Sequence, residues 1–403
     1  MKKKLLFIIP SLNSGGGEKS LVTLLSKIDF DSYDVDLFLL DHHGLFMKFI
    51  PPQVRLLPLT ESYRIFTLPL GPSLWKLLIR GKGRLAFNRM LFSLKNRIGN
   101  NVSRKEQYSW KYLSAVLSKL PQRYDVAVGF LEKTSTYFCV DKVDAHKKIG
   151  WVHIDYEKLG MDPEFDRPYF KRLDSIVTVS EECAQILKQR FPEEEHKIQV
   201  MYNIVSPLII HQMANQDGKD IFKKQEDEIV IVSVGRLHYQ KGFEMAIAAC
   251  KKLLDRGYKV KWNIIGDGEE RDKLTGLIEQ YKLKDHFHLL GLRSNPYPYI
   301  KQADIYAQTS KFEGKSIAID EAKILHKPIL VTNFSTAKDQ IEHGHDGLIV
   351  DMNVDAIAEG IEKLILDSGL RARLSMNLSQ LKLGTEEEIY KFYGLVNGRV
   401  MGG

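Results

Sequence analysis

Cysteine is scarce in this 403-residue chain, and the little there is excludes two kinds of architecture. Cys139, Cys183 and Cys250 lie far apart and form no CxxC pair, so neither a disulfide framework nor a cysteine zinc site is expected, and a reducing cytoplasmic compartment fits. Long apolar runs are missing too, since nothing approaches the ~18 residues that a membrane-spanning helix requires. The opening Lys2-Lys3-Lys4 and Leu5–Ile9 has the charge order of a secretory leader, but its apolar run ends at Pro10, as a first buried strand would. Neither GxGxxG nor GxxxxGK[ST] occurs, which removes the main support for nicotinamide or P-loop nucleotide binding. No DxD follows a predicted strand, so no metal or other cofactor is expected. No RRM, KH or helix-turn-helix pattern accompanies the basic residues, so nucleic acid is not an expected partner.

What is present is apolar material in ordinary amount, 44% of residues against 27% charged. The chain is too long for one core, and two domains of roughly 200 residues are expected. Short apolar runs alternate with helical patterns, the rhythm of an α/β protein with parallel sheets. Leu5–Ile9, Val35–Leu40, Val54–Pro58, Val126–Phe130, Lys148–Val152, Ser175–Val179 and Ile198–Met201 predict the strands of a first domain over residues 1–205. Ile229–Ser233, Trp262–Ile265, His286–Leu289, Ile305–Ala307, Ile329–Val331 and Gly347–Val350 predict those of a second over 229–384. Between them Gln216 to Glu228 is polar and aperiodic, which marks residues 206–228 as a linker.

Charge is unevenly spread. Lys and Arg outnumber Asp and Glu 31 to 23 over residues 1–205, against 27 to 28 over residues 206–403. The excess centres on a segment at 64–112, where Glu106 is the one acid beside eleven basic residues from Arg64 to Lys111. Phe87, Leu91, Leu94 and Ile98 recur there at helical spacing. A basic amphipathic helix can lie on an anionic leaflet, which predicts a peripheral position on the inner face of the plasma membrane. The alternative is that this stripe faces the domain core and the charges are only solvated.

Three segments carry candidate chemistry. Gly15-Gly16-Gly17-Glu18 leads from the first strand into a helix, and glycines there let backbone N–H groups approach a phosphate. A tight structural turn would use the same residues. After Ile229–Ser233 come Gly235-Arg236 and, five residues on, Lys241-Gly242, two cations suited to a diphosphate whose charge grows as it leaves. Beyond the strand at Ile305, Glu313-Gly314-Lys315-Ser316-Ile317 is followed by Glu321. With a helix starting near Ser316, Glu313 falls in the preceding loop and Glu321 more than a turn inside. The amides of Lys315 to Ala318 would then face a phosphate between two carboxylates able to accept hydrogen bonds from sugar hydroxyls. Each feature alone could be solvated surface charge.

Together with these segments, Val232-Ser233-Val234-Gly235-Arg236-Leu237, Lys241-Gly242-Phe243, Ile265-Gly266-Asp267-Gly268, Leu290-Gly291, Ala303-Asp304-Ile305, Lys327-Pro328-Ile329 and Gly347-Leu348-Ile349-Val350 resemble the GT4 family of glycosyltransferases in order and spacing. The resemblance implies the GT-B architecture, two Rossmann-like doubly wound parallel-sheet domains facing across a deep cleft, with a terminal helix in 385–403 packed back on the first. It implies retaining transfer of a hexose or hexosamine from a nucleotide diphosphate sugar, a UDP-sugar first, to a saccharide or polyprenyl-linked acceptor in cell-surface polysaccharide biosynthesis. Arg236 and Lys241, beside Gly235, would bind the diphosphate, and Glu313 the sugar hydroxyls with Gly314, Lys315, Ser316 and Ile317 around it. Glu321 would hold the ribose, Leu292 and Arg293 the base, and Gly16 and Gly17 would lie over the phosphates. Trp151-Val152-His153-Ile154-Asp155 looks like the family's acceptor-side histidine motif, with His153 near the reacting sugar and Asp155 beside the substrate. Where the family commonly has Gly-Phe-Gly after the first glutamate, this chain has Gly314-Lys315-Ser316, similar to the capsule and surface-polysaccharide branch, which leaves the donor open. A sugar phosphorylase or epimerase of the same fold, or a non-catalytic partner subunit that binds nucleotide sugar, would carry the same segments.

Overall fold

The computed structural model describes residues 2–13, 15–97, 101–216, 221–222, 224 and 227–398. The chain forms two compact units, one of residues 1–13, 17–201 and 389–403, the other of residues 14–16 and 202–388.

Each unit is built on a parallel sheet. The first contains β1 (Lys3–Ile9), β2 (Tyr33–Leu39), β3 (Arg55–Leu56), β4 (Arg123–Gly129), β5 (Asp144–Val152), β6 (Ser175–Thr178) and β7 (Ile198–Val200), in the order β3-β2-β1-β4-β5-β6-β7. The second contains β8 (Ile229–Val234), β9 (Val260–Ile265), β10 (Phe287–Gly291), β11 (Ile305–Gln308), β12 (Ile329–Thr332) and β13 (Leu348–Val350), in the order β10-β9-β8-β11-β12-β13. Helices cover both faces, so the strands are apolar nearly throughout; Leu5 to Ile9 are at most 1% exposed. In both sheets the strand order reverses once, beside β1 and β4 and beside β8 and β11. Loops leaving adjacent strands at such a point diverge and open a crevice at their C-terminal ends.

Every predicted strand is present, with ends displaced by at most four residues. The predicted linker requires correction. Within 206–228 the helix Pro207–Ala214 buries Ile210 and Ala214 in the second unit's core with Tyr297 and Ile300, and the second unit already begins at Tyr202. Residues 217–220, 223, 225 and 226 of that stretch lie outside the described residues. The terminal helix Glu388–Asn397 completes the first unit: Phe392 stacks on Phe7 of β1 at 5.7 Å and Tyr393 on Tyr33 at 5.4 Å. Residues 399–403 are not described.

The basic segment folds as four helices between β3 and β4, namely Glu61–Phe66, Leu70–Ile79, Gly83–Arg97 and Val102–Ser114. Leu77, Ala86 and Trp110 point into the core with Phe92 packed on them. The stripe predicted from periodicity points the other way, with Phe87 56% and Leu94 47% exposed and Ile98 outside the described residues. On the neighbouring helix Trp75, Leu78 and Ile79, spaced to share one face, are exposed too. The core-facing alternative is thereby overturned. Several cations are engaged internally: Arg89 donates to the Leu68 carbonyl at 3.0 Å under the Phe66 ring, Lys82 to Ser62 Oγ at 2.6 Å, and Arg80 pairs with Glu61. Lys76, Arg84 and Arg97 are exposed.

Candidate active site

In the second unit β8 and β11 are neighbours, so the loops at their C-terminal ends rise side by side. Two glycines let these loops close. A Cβ on Gly235 would lie 3.1 Å from Lys241 Cε, and one on Gly242, at φ +62°, would lie 2.2 Å from the Thr309 carbonyl oxygen. Across this seam Lys241 Nζ reaches 2.6 Å from Glu313 Oε1. The same oxygen accepts from Ser310 Oγ at 2.6 Å and Gln308 Nε2 at 3.0 Å, while Oε2 accepts from Gln240 Nε2 at 3.2 Å. Glu313 is buried, and four donors fix its carboxylate in one orientation.

The second carboxylate lies close to the first. Glu321, on the helix Ile317–Ile324, is buried and accepts from Tyr297 Oη at 3.1 Å. Tyr306 of β11 feels both: burial first, then Glu321 and Glu313, push its hydroxyl well above the ordinary range, and that hydroxyl donates to Gln308 Oε1 at 3.0 Å. Arg236 is exposed at the mouth of the β8 loop. Burial lowers the pKa of the nearby His238 imidazole; Glu269 opposes, and Arg236 and Lys241 add to the lowering, so both cations act on one spot. Arg236, Lys241, Glu313 and Glu321 thus lie around the β8–β11 switch point. Leu292 and Arg293 follow β10, where Arg293 Nε donates to Tyr299 Oη at 3.1 Å.

The loop before the helix differs from expectation in one respect. Ser316 gives its N–H to Gln340 Oε1 and takes Gln340 Nε2 on its carbonyl, both at 2.8 Å, while its Oγ donates to Gln308 Oε1. The amide row expected to face a phosphate therefore loses Ser316 to an internal partner. Gly314 and Ile317 are buried, and Lys315 places Nζ 3.7 Å from the centroid of the Tyr202 ring.

In the first unit the corresponding loops follow β1, β4 and β5. The helix Gly16–Ser26 begins at the glycine run, and a Cβ on Gly17 would come 2.8 Å from Leu131 Cδ2 and 3.9 Å from His153 Cγ. His153, just past β5, donates its N–H to Glu132 Oε2 at 3.1 Å and packs its ring 4.8 Å from that of Phe130. Among the described residues neither ring nitrogen has a hydrogen-bond partner. Burial pushes the imidazole pKa down to about 3, so it is neutral at ordinary working pH, one nitrogen donating and the other accepting. Asp155 is buried and its Oδ1 accepts the Lys158 N–H, capping the helix Tyr156–Leu159, a structural bond where a substrate contact was expected.

Sequence reasoning missed the residues that hold the site. Gln308 closes the otherwise apolar β11, and a polar side chain at a buried strand end was the available signal. Gln240 and Gln340 had none, because their partners lie 73 and 24 residues away, whereas Ser310 stands three residues from Glu313. Lys133 was also passed over. It sits at φ +64° before the helix Thr134–Lys142 and pairs with Glu106 at 2.8 Å, which accounts for the lone acid of the basic segment.

Residues 215–380 match the family model described as Glycosyl transferases group 1. The chain is 26% identical over 263 residues to an uncharacterized glycosyltransferase of Methanocaldococcus jannaschii, a match covering 57% of this chain. That match spans 64% of the archaeal protein, less than two thirds of its length. It is 24% identical over 381 residues to the amylovoran biosynthesis glycosyltransferase AmsD of Erwinia amylovora, covering 91% of this chain and 92% of the relative. Among solved structures, Anabaena HepE in complex with UDP-glucose aligns with a TM-score of 0.67 at 17% identity, over 99% of this chain and 100% of that one. The likeness is one of fold, and that fold is the two-Rossmann-domain GT-B architecture.

Proposed function

We propose that the protein is a glycosyltransferase of cell-surface polysaccharide biosynthesis, with GT4-type retaining chemistry on a nucleotide diphosphate sugar, a reading supported by the match of residues 215–380 to the family model described as Glycosyl transferases group 1. The observation that carries this is the Lys241–Glu313 pair at the β8–β11 switch point, with Arg236 exposed on the same β8 loop. Arg236 and Lys241 neutralise the charge gathering on the leaving phosphate, an interaction that strengthens as the bond breaks. The C1–O bond to phosphate breaks while the acceptor oxygen bonds to C1 on the same face. The acceptor proton passes to a phosphate oxygen of the departing nucleoside diphosphate, so no protein nucleophile is required. Glu313 Oε2 accepts a sugar hydroxyl, Glu321 the ribose hydroxyls, and the Leu292-Arg293 loop meets the base. Acceptor binding is proposed for the first unit, with neutral His153 among its groups. UDP-sugars are the first donors to consider because HepE binds UDP-glucose, and a polysaccharide product accords with the name of AmsD.

No metal enters this scheme. With UDP-hexoses and UDP-N-acetylhexosamines in EDTA, UDP is expected to raise the melting temperature and one donor to release UDP only when a lipid-linked saccharide extract is present. Turnover without acceptor would instead indicate an epimerase and dependence on inorganic phosphate a phosphorylase, while binding without release would indicate a partner subunit. Each of these outcomes discards the transferase.

The acceptor is proposed to be polyprenyl-linked and the protein peripheral on the inner leaflet. Support comes from the outward apolar stripe with Lys76, Arg84 and Arg97 exposed on the same two helices, each cation contributing ~1 kcal/mol at an anionic surface. No described helix is long and apolar enough to cross a membrane. A variant with Lys76, Arg84 and Arg97 changed to Gln and Trp75 and Phe87 changed to Ser should lose about tenfold or more of its co-sedimentation with phosphatidylglycerol vesicles. Arg80, Lys82 and Arg89 are left unchanged because they hold internal partners. Undiminished co-sedimentation would remove the membrane assignment.

A further inference from the structure

The loop 310–316, read above as the donor-sugar site, spends most of its polar groups internally. Ser310 Oγ bonds Glu313, Ser316 Oγ bonds Gln308, and both backbone groups of Ser316 bond Gln340. Lys311 pairs with Glu244, and the charge of Glu313 is matched by Lys241. Lys315 is the exception. Its ammonium rests on the face of Tyr202, and among the described residues it makes no ion pair or hydrogen bond. Asp320, a turn into the following helix, acts on it only through space, and Asp320 Oδ1 is taken by Gln340. Tyr202 is itself anchored, its N–H donating to Glu388 Oε2 at 2.9 Å. An aromatic face stabilises a cation modestly and leaves its N–H donors free for an anion.

The position of this cation decides what it can recognise. The diphosphate already has Arg236 and Lys241 from the β8 loop, whereas Lys315 lies two residues past the carboxylate that receives sugar hydroxyls. A neutral hexose seated there would cover Lys315 and leave it only the through-space attraction of Asp320, with no direct anionic partner, which is costly. A sugar carrying a carboxylate would pair with it. Selectivity then arises from attraction to one substrate and a desolvation penalty against the other. We propose that Lys315 makes the protein select donor sugars bearing an anionic group, of which uronic acids are the simplest, and this rests on reading 310–316 as the donor-sugar loop.

The test compares donor pairs that differ only in oxidation at C6: UDP-glucuronate with UDP-glucose, UDP-galacturonate with UDP-galactose, and GDP-mannuronate with GDP-mannose. By calorimetry the protein should bind the uronate of at least one pair about tenfold or more tighter than its hexose, the scale of a charge-assisted hydrogen bond. Lys315→Met should collapse that ratio to near one, and Lys315→Arg should keep most of it. A preference for the hexose in every pair overturns the proposal, as does Lys315→Met weakening both members alike, which would assign the cation to the diphosphate. If Lys315→Met melts early without ligand, Tyr202→Leu, which removes the platform under the ammonium, carries the test, and an unreduced ratio there overturns it too. Failure of every nucleotide sugar, and of free UDP and GDP, to bind would instead remove the transferase proposal itself.

Discussion

Lys241→Ala is expected to lower the transfer rate by about 100- to 1000-fold, the range for losing a preorganised charge beside a leaving group. The geometry makes this lysine hard to replace. Its side chain lies across Gly235, where a Cβ would be 3.1 Å from its Cε, and its ammonium is fixed 2.6 Å from Glu313. A charge held that way needs little reorganisation when negative charge develops on the phosphate. The carboxylate left behind in Lys241→Ala still accepts from Ser310, Gln308 and Gln240, so the variant should stay folded and lose turnover more than stability. Glu313→Ala is expected to behave differently. It leaves a mostly buried ammonium with no acceptor, and removing one partner of a buried pair costs about 3–5 kcal/mol, so this variant should lose both turnover and several degrees of melting temperature. Measuring both quantities on both variants separates chemistry from scaffolding. Wild-type turnover by Lys241→Ala would end its assignment to the diphosphate.

The strands were legible because a parallel sheet covered on both faces needs apolar residues at nearly every position, and such runs stand out between polar turns. The β8 and β11 loops were legible for a related reason: the close approaches at Gly235 and Gly242 leave glycines that sequence reasoning can find. Periodicity failed at the basic helices. The spacing of Phe87, Leu91 and Leu94 identifies a face, yet Ala86 and Phe92 on the opposite face are the ones that meet the core. Which face turns inward depends on the neighbouring helices, and that information is not local. The helix Pro207–Ala214 was hidden by the polar stretch after it, though Ile210 and Ala214 belong to the second core. At the site, carboxylates and cations could be named one by one, but the amides and hydroxyls that aim them come from positions up to 73 residues away, as with Gln240 and Glu313.

Phe392→Ala is expected to destabilise the first unit by about 3–5 kcal/mol, the cost of deleting a fully buried aromatic side chain. The ring is 0% exposed and stacks on Phe7 of β1, the strand at that unit's switch point, although 385 residues separate the two in sequence. Polar bonds register the rest of the helix: Tyr393 Oη accepts the Asp29 N–H at 2.9 Å and Lys147 Nζ donates to the Leu395 carbonyl at 2.7 Å. None of these bonds compensates for a cavity against β1. The chain passes from the first unit to the second after Met201 and returns after Glu388, so the loss should be confined to the first unit. Amide hydrogen exchange would report it as faster exchange in β1, β2 and β4 with little change in β8 and β11. Equal acceleration in both sheets would show that the terminal helix stabilises the second unit as well, and unchanged exchange in β1 would show that it stabilises neither.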